Sequence, residues 1–128
     1  MKYLTSEQVL FIHYCLIEET GGSHGIRDVG ILQSAVSRPM ATFDNKELYP
    51  DVFAKASALM QSIIKNHPFV DGNKRTAITS ASIFLLRNKF SVNTSNRELE
   101  KFTFKVAAEK IEFKEIENWF KKNSKRLK

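Results

Sequence analysis

The chain has 128 residues, 42% of them hydrophobic, which suits one domain with a core that needs no covalent staples. Net charge is +6, from 20 Lys and Arg against 14 Asp and Glu. Much of the excess lies at Lys121, Lys122, Lys125, Arg126 and Lys128. Cys15 is the single cysteine, so an internal disulfide is excluded and a reducing, cytoplasmic setting is expected.

The opening MKYLTSEQVLFIHYCLIEET is interrupted by Glu7, Gln8, His13, Glu18 and Glu19, and lacks the unbroken core of a signal peptide. No window approaches the run of about 20 apolar residues that spans a membrane, and no membrane association is expected. Thr5 and Gln8 read as a capping box. Val9, Ile12 and Leu16, with Leu10, Tyr14 and Ile17, then recur at helical spacing until Gly21-Gly22. His13 lies inside this helix and is read as a satisfied or surface residue, because no second ligand stands at a metal-binding spacing. Asp28 caps a short helix to about Val36, which Pro39 ends.

Residues 38–50, RPMATFDNKELYP, have no helical period and read as a connector or a flap beside a site. A third helix is predicted over about 51–65, with Phe53, Ala56, Met60 and Ile63 as its stripe. A fourth follows over about 73–87. It is apolar on nearly all sides and is predicted to be the buried centre of the bundle. Ser95 and Glu98 open a fifth helix, and Phe113, Ile116, Trp119 and Phe120 mark a sixth. Pairing signals are confined to Phe90–Val92 and the 38–50 loop. The prediction is one all-α domain over residues 1–128, a compact helical bundle with a central buried helix. The basic tail 121–128 is read as a solvated helix end with a frayed terminus. Basic and aromatic residues do not alternate in it, so direct nucleic-acid binding is not expected.

Between the third and fourth helices stands NHPFVDGNKRT, residues 66–76. Pro68 forces His67 out of helical angles. Phe69 is the one large apolar residue between two polar clusters and anchors the loop in the core. Asp71-Gly72 makes a turn, and Gly72 allows close backbone approach to a ligand. The amides that open the fourth helix form an anion site. Lys74 and Arg75 in its first turn oppose the helix dipole, which makes sense in front of a polyanion. Phosphoryl or nucleotidyl transfer needs a base, a metal-holding carboxylate and phosphate donors. Residues 67–75 supply all three. Taken singly, the same residues also read as a turn and a solvated cap. The stretch is not a Walker A loop.

HPFVDGNKR resembles the signature of the Fic/Doc family, His-x-Phe-x-Asp/Glu-Gly-Asn-x-Arg, and Lys74 followed by Arg75-Thr76-Ala77 resembles its death-on-curing (Doc) toxin branch. Flanking segments such as GIRDVGILQSAVSRP extend the likeness over nearly the whole chain. The resemblance implies a compact Fic-type helical fold. It implies His67 as general base toward a target hydroxyl, Phe69 as structural anchor and Asp71 as the Mg²⁺ ligand. Gly72, Asn73, Lys74 and Arg75 would bind the phosphates of ATP. The 38–50 loop would be the flap that aligns the target segment.

Lysine at position 74 implies a reversed nucleotide and transfer of the γ-phosphate to a threonine of elongation factor Tu, which blocks translation. Doc-like motifs often carry alanine where this chain has Gly72. A glycine there would leave more room near the phosphates, so Fic-type AMP transfer is the alternative. A non-catalytic binding module is a third reading. The family's inhibitory pattern, Ser/Thr-x-x-x-Glu-Gly/Asn, has no match: Leu99 follows Thr94 to Glu98, and Phe113 precedes Glu117-Asn118. A separate Phd-like antitoxin with a disordered inhibitory segment is therefore expected as partner.

Overall fold

The computed structural model describes residues 1–128. Helix α1 (Ser6–Thr20) opens as its sequence dictates: Thr5 accepts from the Gln8 N–H, and the Gln8 side chain returns to the Thr5 N–H. Asp28 caps α2 (Val29–Ser37) by accepting from the Ile31 N–H. A short hairpin follows, β1 (Thr42–Phe43) with β2 (Lys46–Glu47). Its turn residues Asp44 and Asn45 both have positive φ, as a two-residue hairpin with native twist requires.

Asp51 caps α3 (Val52–Asn66), the 66–76 loop follows, and α4 spans Asn73–Arg87. Strand β3 (Phe90–Val92), helices α5 (Asn96–Ala107) and α6 (Phe113–Lys122), and strand β4 (Ser124–Arg126) complete the chain. The fold is the expected mostly helical bundle with only small strands.

Two expectations are corrected. The helix enclosed on nearly all sides is α3 rather than α4. Residues Ala54 to Ile64 of α3 are buried apart from Gln61, whereas α4 leaves Ile78 and Ile83 half-covered and Leu86 exposed. The small side chains of Ala54, Ala56, Ser57 and Ala58 let neighbouring helices approach closely. Lys55 masked this in the sequence, yet it is buried with Nζ bonded to the Pro39 carbonyl and to Glu47. Secondly, the tail does not fray after α6. Residues 124–126 pair antiparallel with 90–92, and the Leu127 N–H donates to the Lys89 carbonyl at 2.7 Å. Such pairing across more than thirty residues leaves no local signature.

A single core of 19 buried apolar residues joins the helices. Phe102 stacks on Trp119 with 3.8 Å between ring centroids and meets Phe120 edge-on, which locks α5 against α6. No helix is long and apolar enough to cross a membrane.

Candidate active site

The loop between α3 and α4 is built from the α3 end outward. His67 terminates the helix at φ 50°, ψ 63°, a left-handed conformation that costs a residue with a β-carbon about 1–2 kcal/mol. Arg27 holds it there: Nε donates to the His67 carbonyl at 2.6 Å and Nη2 to the Asn66 carbonyl at 2.7 Å. The neighbouring segment also pairs with the loop. Arg27 N–H donates to the Pro68 carbonyl, Ile26 forms a bridge with Phe69, and Val70 N–H donates to the Gly25 carbonyl.

Phe69 is buried and stacks flat on His13, 3.9 Å between centroids. Asn73 turns its side chain back onto Phe69: Oδ1 accepts from the Phe69 N–H and Nδ2 donates to the Phe69 carbonyl. Its amide thus shapes the loop.

Asp71 is exposed. Its Oδ2 accepts from the Ser23 N–H and its Oδ1 from the Gly72 N–H, and these bonds, with Arg75 nearby, hold its pKa below the usual carboxylate range. Ser23 comes this close because Gly22 has no side chain; a β-carbon there would stand 2.6 Å from Asp71 Oδ2. The Gly21-Gly22 pair is therefore an approach site as well as a helix stop.

Gly72 is the cap residue of α4 at φ 76°. A β-carbon at Gly72 would point at Ile17, 3.0 Å away, and toward His13. Both belong to α1, so the missing side chain does not provide the extra phosphate room expected of it. No side chain caps α4, and its first amides are left for an outside acceptor.

The structure brings His67, Asp71, Gly72, Asn73, Lys74 and Arg75 around one cleft of 440 Å³, with Ile64, Val70 and Ala107 completing its wall. Lys74 is exposed and has no ion-pair partner. Arg75 reaches the end of α1, donating to Thr20 Oγ1 and to the Gly21 carbonyl. A second cleft of 400 Å³, bordered by Glu109, Glu112 and Phe113, adjoins the first at Ile64, His67 and Ala107.

Asp71 is the only carboxylate lining the first cleft. One ionised, exposed carboxylate suits Mg²⁺, which takes one or two protein oxygens and fills its sphere with phosphate and water.

Residues 1–28 carry the supports that the sequence did not reveal. His13 is buried, and its Nε2 donates to the Asp71 carbonyl at 2.8 Å. Burial lowers its pKa, so the ring is neutral at neutral pH. The contact spans 58 residues and has no local signal. Arg27 and Ser23 are likewise remote; the GIRDVG segment was the one pointer to that region.

A helical bundle whose two central helices are joined by a His-x-Phe-x-Asp-Gly-Asn-x-Arg loop defines a recognisable class. The sequence matches the Fic/DOC family over residues 3–85, and the chain belongs to that family. It is 51% identical over 84 residues to Toxin Doc of Mycolicibacterium smegmatis, a match covering 66% of this chain and 62% of that toxin. It is 32% identical over 92 residues to Protein kinase doc of Escherichia phage P1, covering 72% of each chain. The matched family region contains every residue of the 66–76 loop, together with the α1 supports.

Proposed function

We propose that the chain is the toxin of a toxin–antitoxin pair and a Mg-ATP-dependent phosphotransferase acting on a protein hydroxyl. The observation that carries this reading is the shared cleft, where an exposed imidazole, an ionised carboxylate and uncapped helix amides face one space. The name of the phage relative, a protein kinase, favours phosphoryl transfer.

In this reading ATP lies along the start of α4, with its phosphates on the free amides and on Lys74 and Arg75. Asp71 would hold Mg²⁺, which supplies charge neutralisation on the phosphates. The His67 imidazole accepts the proton of the target hydroxyl as its oxygen bonds to the γ-phosphorus. The bond from that phosphorus to the bridging oxygen breaks, and ADP leaves. The proposed target is a threonine of elongation factor Tu, reached in the cytoplasm, with arrest of translation as the result. The β1–β2 hairpin is the flap along which the target segment would lie. A Phd-like antitoxin with a segment ordered on binding would restrain the enzyme.

The test uses ATP labelled at the α- or the γ-phosphate, with Mg²⁺ and bacterial lysate. A γ-only label on a band of the translation factor's size, absent with His67→Ala, is the expected result. An α label would replace kinase with AMP transferase. Absence of any His67-dependent label would abandon enzymatic transfer in favour of a binding module.

A further inference from the structure

Arg27 stands outside the signature, 40 residues before His67. It uses three donors on three successive carbonyls: its side chain on Asn66 and His67, its backbone N–H on Pro68 at 2.7 Å. The first two carbonyls belong to the two peptide bonds of His67, and the third to the peptide that follows. A side chain that only capped α3 would be satisfied by the helix carbonyl of Asn66. Arg27 also grips the residue whose backbone is held at positive φ.

The ring-nitrogen hydrogen bonds of this protein belong to His13 and His24. The His67 side chain is exposed and its ring makes no hydrogen bond within the protein. The left-handed backbone sets the direction of its Cα–Cβ bond, and so the side of the loop from which the ring leaves. We propose that Arg27 is the positioning residue of this site, directing His67 by fixing the peptide planes on either side of it. The arginine fork suits this role because its planar donors meet two carbonyls at once, which a lysine ammonium does less rigidly.

The inference rests on His67 being the base, and the experiment separates the two ideas. Arg27→Gln and Arg27→Lys are made in the full chain and read in two ways. In the γ-phosphate assay, Arg27→Gln is expected to lower kcat at least tenfold with KM for ATP within twofold, and Arg27→Lys to recover part of the loss. By NMR, without nucleotide, the His67 Cα shift is expected to leave its left-handed value in Arg27→Gln while thermal unfolding stays cooperative. An unchanged shift overturns the proposal, as does an unchanged kcat. Loss of cooperative unfolding in both variants would make Arg27 a structural residue and overturns it too. Should the wild type transfer nothing, the functional reading fails, and the His67 shift still decides what Arg27 does.

Discussion

Asn73 makes two hydrogen bonds with one backbone residue, Phe69, and so closes the loop into a ring. Asn73→Ala leaves a part-buried N–H and carbonyl without partners, which costs about 2 kcal/mol. The expected result is a lower melting temperature together with loss of the proposed transfer, measured by calorimetry and the labelled-ATP assay. Asn73→Asp should keep the bond from the Phe69 N–H and lose the other.

His13 works on the same loop from beneath. Its pKa is lowered in the folded state relative to the ordinary 6.5, so the unfolded chain takes up a proton first as pH falls. Its contribution to stability is full above about pH 6.5 and declines below it. Asp71 has the same sign, but its contribution falls only in the acid range below its ordinary 3.8. Denaturant titrations between pH 7 and pH 5 should therefore show a decline in the wild type that His13→Gln abolishes.

Among the elements, the β1–β2 hairpin is tied to α3 through Lys55. Lys55 is held from α3 against Glu47 of β2 and against the Pro39 carbonyl, with its ammonium over Tyr3. Burial alone would lower its pKa; the Glu47 and Tyr3 oxygens outweigh that and raise it. Lys55→Met keeps the volume and removes the tie. Faster hydrogen exchange at Leu48, whose amide bonds to the Ala41 carbonyl, is the expected outcome. The proposed reaction should show a raised KM for the protein target with unaltered ATP affinity. Strand β4 is a second such element. Removing residues 124–128 should lower the melting temperature by a few degrees, corresponding to about 1–2 kcal/mol, since its exposed pairing with β3 covers little apolar surface.

For the molecule as a whole, what was legible in the sequence is what short-range physics writes there. Helix starts at Thr5, Asp28 and Ser95 were readable because a cap bonds to an amide three residues away. The end of α3 was readable because Pro68 restricts its neighbour. The loop residues lay together in the chain, so their gathering around one cleft needed no tertiary information. The supports did: His13, Ser23 and Arg27 reach the loop across 40 residues or more. Lys55 and β4 misled because a charged residue reads as solvated until its partner is known, and those partners sit outside the residue's own helical or strand pattern.

The tip of the β1–β2 hairpin divides these contributions cleanly. Asp44 and Asn45 are exposed; the remote braces His13, Ser23 and Arg27 stand before them, and the whole 66–76 loop stands after. A chain cut between Asp44 and Asn45 would yield two fragments, neither holding a complete centre. Their reassociation would rebuild it, and recovery of the proposed phosphoryl transfer on co-expression would report that docking directly.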